Sequence, residues 1–394
     1  MSPIRPLERG DLEAVTDLYE TVFRVGLPRK PGLLAEFERT VLDHPWADPE
    51  IPSLVYEGPG GAITGFLASH VRRMRHGSDP MRMACSGQLV TDPAYARRGI
   101  GALLLRHYMG GPQDLTITDG ATDTVRAIWE GLGGNASALS SLSWTRVFRP
   151  VALLAEKAER HRGGRPVRGA SAAARVADAV AGRRLAPASV ATVAEALDPR
   201  ALMDAVAELS STRSGSGRRG AGVYELRPDY DEPFLEWLFR ETAAVRARGE
   251  LVRRMVRDSS GALVGWYVFY SRPGGTSQAI QVAAAPASAG AVLDHLFRDA
   301  AERGCGSVQG RVEAPLLPAL TARRCLFGRT DWALLRSADP APLNAIAYGR
   351  ALLTRLDGEW WMGHHLAHEG PRGSTAVAAR KPGAVLSDPS DDDR

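Results

Sequence analysis

The chain has 394 residues, 44% hydrophobic and 24% charged, with a formal net charge of +4, which is ordinary for a globular protein and does not call for a nucleic-acid partner. Its 3 cysteines, Cys85, Cys305 and Cys325, are too few and too scattered for a disulfide framework or a zinc site. No charged-then-apolar signal opens the chain and no run of about 18 apolar residues could span a bilayer, so a cytoplasmic protein with no membrane span is expected.

In chain order, Ile4–Leu7 reads as a short strand, and Asp11 as the cap of a helix with Leu12, Val15, Leu18, Tyr19, Val22 and Phe23 on one face. A second helical stripe follows at Leu33, Leu34, Phe37 and Val41. Ser53–Tyr56 and Ile63–Val71 read as strands joined through E-G-P-G-G, and Met83–Val90 is the next strand. A helix then starts near Ile100. It is followed by a strand at Leu115–Thr118, a helix over Thr122–Leu132 and an extended stretch from Ala136 to Val147. Residues 151–184, rich in Arg, Ala and Gly, read as a solvated basic linker without the aromatic residues that would stack on bases.

Beyond the linker the order repeats over residues 185–370. Helices are expected at Pro199–Leu209 and Phe234–Thr242, and strands at Leu251–Val256 and Leu263–Tyr270 about the turn D-S-S-G. Another strand at Ala279–Ala283 leads to a helix carrying Val292, Leu293, Leu296, Phe297 and Ala300. Val308–Val312, a helix across Leu316–Cys325 and a strand near Trp332–Leu335 complete the second pass. Residues 371–394, ending D-P-S-D-D-D-R, read as a disordered acidic tail. His364, His365, His368 and Glu369 read as a tail or cap rather than a metal site, and Trp360 and Trp361 as packing anchors.

The densest chemical signal is Val90–Leu105, V-T-D-P-A-Y-A-R-R-G-I-G-A-L-L-L. Gly99 and Gly101 let the backbone turn tightly and approach a ligand. The first N–H groups of the following helix, at Ile100, Gly101 and Ala102, then favour an anion, and Arg97 and Arg98 supply two guanidinium groups that grip phosphate oxygens. A dinucleotide fingerprint is excluded by Leu104 in place of a third glycine, and a nucleotide-hydrolase phosphate loop by the lack of G-K-[ST].

This segment resembles the acyl-coenzyme A pyrophosphate loop of the GNAT superfamily of N-acetyltransferases, R/Q-x-x-G-x-G/A, with Pro93, Tyr95, Arg98, Gly99, Ile100, Gly101 and Leu103–Leu105 in matching places and Ala96 at the leading Arg or Gln. The element order of the first 150 residues is similar to that family's as well. The fold class implied is α/β, with two GNAT-type domains, each a mixed, mostly antiparallel twisted sheet flanked by helices. The first, residues 1–150, binds the acyl-coenzyme A, and the second, residues 185–370, is a degenerate copy whose corresponding loop reads A-S-A-G-A-V-L with no arginine.

The resemblance implies direct transfer of an acetyl group from acetyl-CoA to a small-molecule amine, an amino sugar among the options, without a metal. It places Leu89 along the pantetheine arm and assigns Val90 the backbone N–H that polarises the thioester carbonyl. Thr122 and Trp129 stand where the family has a CoA-contacting Asn and an acidic Tyr, and Asp119 stands near the acceptor as a candidate base. Two alternatives remain open: a Fem-type aminoacyl or longer-chain acyl transfer, and a non-catalytic acyl-CoA sensor or scaffold.

Overall fold

The computed structural model describes residues 2–150, 192–210, 223–364 and 366. The expected linker at 151–184 and the tail at 371–394 lie outside the described residues. The first half contains strands β1 (Ile4–Pro6), β2 (Leu54–Glu57), β3 (Ile63–His76), β4 (Asp79–Thr91), β5 (Leu115–Ala121), β6 (Asn135–Ala136) and β7 (Leu142–Val147). Its α-helices are α1 (Leu12–Phe23), α2 (Leu33–Phe37), α3 (Ile100–Met109) and α4 (Asp123–Gly131). The second half contains β8 (Thr192–Ala196), β9 (Leu226–Pro228), β10 (Glu250–Asp258), β11 (Leu263–Ser271), β12 (Thr276–Ala284), β13 (Ser307–Arg311), β14 (Leu326–Arg329) and β15 (Trp332–Arg336). With these go α5 (Pro199–Ser210), α6 (Glu232–Ala244), α7 (Ala289–Glu302), α8 (Leu317–Ala322) and α9 (Pro340–Ala347).

The strands form an eight-stranded sheet, β1-β2-β3-β4-β5-β15-β6 with β9 beside β3, and a seven-stranded sheet, β14-β7-β13-β12-β11-β10-β8. Each is mostly antiparallel with one parallel pair, β4 with β5 and β12 with β13. Alternation along each strand sends side chains to both faces. In β3, Phe66 and Ala68 enter the core under α1 and α2, whereas Leu67 and Val71 pack with Leu104 and Leu105 of α3. In β11 the run V-G-W-Y-V-F-Y is buried on both faces, with Trp266, Val268 and Tyr270 in the core with α5 and α6, and Tyr267 and Phe269 in the core with α7. A continuous apolar run rather than an alternating one is what a doubly covered strand requires.

Two features depart from the sequence expectations. First, β3 and β4 form a hairpin that continues to His76 and Asp79, past the expected ends at Val71 and Met83, around Gly77 at φ 63°. β9 of the second half pairs with Met74–His76 and makes that stretch interior strand. Second, the halves exchange their late strands. β7 pairs with β13 and β14 in the second sheet, and β15 pairs with β5 and β6 in the first, so the sheets do not divide the chain at residue 150.

Residues 351–362 form an irregular strap between the sheets. Ala351 bridges Leu226, the Leu356 N–H donates to the Ile280 carbonyl at 3.0 Å, and the Asp357 carbonyl accepts from Arg72 Nε at 2.9 Å. The strap thereby crosses both parallel pairs beyond the points where their ladders end.

Candidate functional site

The strand-to-helix turn is built as its residue types require. Asp92 Oδ1 accepts the Ala94 N–H at 2.8 Å and fixes the exit from β4, and Pro93–Arg98 makes a 3-10 turn. Gly99 then sits at φ +68°, where an L side chain is strained, and α3 begins. The first intrahelical donor is Leu103, whose N–H reaches the Gly99 carbonyl at 3.0 Å, so the N–H groups of Ile100, Gly101 and Ala102 precede the ladder. A Cβ on Gly101 would make ordinary van der Waals contact with Thr91 Oγ1 at 3.6 Å and with the Leu89 methyls at 3.8 and 4.0 Å, so a small side chain would fit here without a clash. Ile100 is buried, and a Cβ on Gly65 would clash with its Cγ2 at 2.6 Å, so the helix start is pinned to β3. Arg97 and Arg98 are exposed, with Arg98 lying 4.9 Å from the Tyr95 ring centroid. Arg97–Ala102 thus make one turn, and Leu89, near the end of β4, lies against its Gly101.

Next to this cradle β4 and β5 part. Their parallel ladder covers only Met83–Cys85 against Leu115–Ile117, although β4 runs on to Thr91 and β5 to Ala121. A register shift in the β3–β4 ladder and a φ of 43° at Gln88 mark a bulge there. Into the resulting cleft projects Glu359 of the strap. Its Oε1 accepts the Thr118 hydroxyl at 2.7 Å, and its Oε2 lies against Gly87 of β4. A Cβ on Gly87 would collide with that carboxylate, and one on Gly358 with the carboxylate of Asp119, so both glycines are needed for the close approach.

Asp119 is buried, and its Oδ1 accepts the backbone N–H groups of Glu359 at 3.0 Å and Trp360 at 3.1 Å. Its Oδ2 lies 3.8 Å from Arg311 Nη1. Asp119 therefore holds the strap turn that aims Glu359. Val90 is buried, its side chain in the core with α1 and α2, two residues along β4 from Gln88.

Burial first, and then the neighbouring Asp119 charge, push the Glu359 carboxyl up to about 8. Burial also raises Asp119, against the opposing pull of Arg311. His70 moves the other way, to about 4, because burial and the Arg72 charge disfavour the imidazolium, and its Nε2 lies 2.9 Å from Gln88 Oε1. Trp360 is clasped between the Arg248 and Arg355 guanidinium groups, 3.7 and 4.0 Å from its ring centroid.

A cavity of about 260 Å³ opens on the far side of the same strap turn, between the α1–α2 region and the end of α6. Met362 and Trp361 form its inner wall, and Lys30, Glu36, Arg39 and Glu241 its rim. The rim charges are paired, Lys30 with Glu36 at 2.6 Å and Arg39 with Glu241 at 3.2 Å.

Two expected site residues stand elsewhere. Thr122 is the N-cap of α4, its Oγ1 accepting from the Val125 N–H at 3.4 Å. Trp129 is fully buried, with its indole N–H donating to the Leu335 carbonyl of β15 at 3.2 Å, so it anchors the exchanged strand to the core. Glu359, by contrast, carries no motif. The available signal is L-D-G-E-W-W-M itself, an acid-aromatic run with neither helical nor strand period, which is how a buried irregular segment reads. Of the expected histidine tail, His364 is buried, with Nε2 3.3 Å from Thr40 Oγ1; His365, His368 and Glu369 lie outside the described residues. Among the described residues no group of three or more His, Cys, Asp or Glu side chains could hold a metal, and no helix is long and apolar enough to cross a membrane.

Neither a family model nor a curated protein matches the sequence. Solved structures do. A probable N-acyltransferase from Enterococcus faecalis is similar with a TM-score of 0.54 at 10% identity, over 88% of this chain and 73% of that one. A GCN5-related N-acetyltransferase from Anabaena variabilis gives 0.54 at 12% identity, over 85% and 72%. A further one, from Kribbella flavida, gives 0.51 at 14%, over 86% and 71%. At such identities the likeness is one of fold. The chain has the fold of the GCN5-related N-acetyltransferase superfamily, in two mixed, mostly antiparallel sheets flanked by helices.

Proposed function

We propose that this protein is an N-acyltransferase that moves an acetyl group from acetyl-CoA to a small-molecule amine, such as an amino sugar, by direct transfer. The observation that carries this reading is the juxtaposition of an open, glycine-bearing helix start, flanked by Arg97 and Arg98, with the cleft between β4 and β5. The pyrophosphate of the donor would sit on the N–H groups of Ile100–Ala102, where the helix dipole favours negative charge, with the two arginines around it. The pantetheine arm would pass Leu89 and bring the thioester to the cleft, with the Val90 N–H as carbonyl donor. The amine would come from the cavity behind Met362, and the work of the site is to hold the two reactants together.

The first half, residues 1–150, is then the donor-binding part and the second half a supporting copy. Two observations favour that division. The first turn of α7, the counterpart of α3, is covered by Arg323, whose Nη2 would lie 2.6 Å from a Cβ on Gly290 and which is paired with Asp294 at 2.6 Å. The cleft between β12 and β13 is crossed by the Leu356 backbone, which bonds to Ile280.

Calorimetric titration of acetyl-CoA into the wild type and into Arg97→Ala/Arg98→Ala tests the reading. Micromolar binding, on the order of 8 kcal/mol, is expected in the wild type. About 10- to 100-fold weakening is expected in the double variant, because exposed arginines on a phosphate each contribute a charge-assisted bond. Gly101→Trp should abolish binding by filling the space above the turn. Binding that is indifferent to all three substitutions would place the donor elsewhere, and binding without thiol release would favour a sensor.

A further inference from the structure

We infer that Glu359, delivered from the second half of the chain into the first half's cleft, is the base that takes the proton from the acceptor amine. This rests on the acyl-transfer reading above and assigns it a residue. The geometry has four parts. The carboxylate lies in the space left where β4 and β5 separate, bonded to Thr118 of one strand and lying against Gly87 of the other. Gly87 is three residues from Val90 on β4, so the base stands near the proposed thioester carbonyl donor. Glu359 closes a single 3-10 turn with Met362, whose N–H bonds to the Glu359 carbonyl at 3.0 Å and whose side chain walls the cavity, so one turn spans cavity and cleft. Finally, Gly87 admits the carboxylate where any Cβ would expel it, and Gly358 lets the strap turn close on the Asp119 carboxylate.

The other titratable groups near the cleft are committed elsewhere. Asp119 is bonded to two strap N–H groups and faces Arg311; it is a positioning residue that fixes the turn and raises the proton affinity of Glu359. His70 is held neutral and its Nε2 is engaged with Gln88. Cys85 is fully buried, and burial raises its thiol well above the ordinary range. Charges also reach the cleft from Asp331, which raises the Glu359 carboxyl further, and from Arg355 and Arg311, which act on Asp119. Arg72, from β3, faces Asp119 and Asp357. Tyr19 of α1 is raised in turn, by burial and then by the Glu359 charge.

The step balances without a further reactant. The ammonium form of the acceptor gives one proton to the Glu359 carboxylate. The freed lone pair attacks the thioester carbonyl carbon, the C–N bond forms and the C–S bond breaks. The second amine proton leaves with the sulfur as coenzyme A thiol, and Glu359 returns its proton to water.

The test compares the full-length wild type with Glu359→Gln and Asp119→Asn, using acetyl-CoA with glucosamine, putrescine and hydroxylamine as acceptors, and acetyl-CoA calorimetry on each. Glutamine preserves size and still accepts from Thr118, so acetyl-CoA binding should be unchanged. Turnover of the two basic amines should fall roughly 10²- to 10⁴-fold, the usual contribution of a general base. Hydroxylamine is already unprotonated at neutral pH and should be affected far less, a difference that a merely structural glutamate would not produce. The kcat of the wild type should rise with pH through about 8, the limb should vanish in Glu359→Gln, and it should move to lower pH in Asp119→Asn, where the neighbouring charge is gone. Full turnover in Glu359→Gln, or equal losses for all three acceptors, overturns the base and leaves the donor site standing. Wild-type binding of acetyl-CoA without turnover of any of the amines also counts against the base, whereas no binding of acetyl-CoA defeats the acyl-transfer reading itself.

Discussion

A carboxylate placed in a narrow cleft beside another carboxylate costs stability, and Glu359 is the clearest instance. Its folded-state proton affinity exceeds the ordinary one, 4.5, and reaches about 8, so the folded protein binds the extra proton across that window and the unfolded chain does not. Stability attributable to Glu359 is therefore fully present below 4.5 and is lost as pH rises towards 8. Glu359→Gln removes the effect, so its melting temperature should gain on the wild type steadily across that interval and stay level above it. A constant gap would mean that the carboxyl is not raised. This residue is also where sequence reasoning is weakest. Arg97, Gly99 and Gly101 stand out because a tight turn able to cradle an anion, as proposed for this one, needs those residue types close together in the chain. Glu359 lies about 240 residues from the strand it serves, and nothing local to L-D-G-E-W-W-M says which cleft it enters. Asp119 is visible as a polar residue at a strand end, but its partners, the Glu359 and Trp360 N–H groups, come only with the fold.

At the level of elements, hydrophobic period carries most of the architecture. The stripes on α1 and α7 and the unbroken apolar run of β11 fall where they are expected, since each is dictated by a face that must be buried. Partner choice is not encoded in that way. β7 and β15 are ordinary short strands in sequence, and only the edges available in three dimensions send each into the other half's sheet. Leu334 shows the consequence: it is fully buried in the core with α3 and α4, although it belongs to the second half. Leu334→Asp should therefore destabilise the first sheet by about 4 kcal/mol or more, since it places an unpaired charge in an apolar core. Hydrogen exchange at the amides of β5 should accelerate, and unchanged protection there would argue against the exchange of strands.

For the whole molecule, the exchanged strands, the β3–β9 pairing and the strap make the two halves interdependent. The first half presents the cradle and the cleft, and the second supplies β15, which covers the edge of β5, and Glu359, which enters the cleft. Arg311 of β13 sits near Asp119, and Arg248 and Arg355 hold Trp360, so the charged groups that set the cleft's electrostatics are drawn largely from the second half. The second half is thus structurally necessary to the first. A crystal structure of the protein with acetyl-CoA is the most direct measurement. The account predicts the pyrophosphate on the Ile100–Ala102 N–H groups between Arg97 and Arg98, with the thioester in the β4–β5 cleft facing Glu359. A donor bound at the Gly290 turn of α7, or with its thioester outside that cleft, would contradict it.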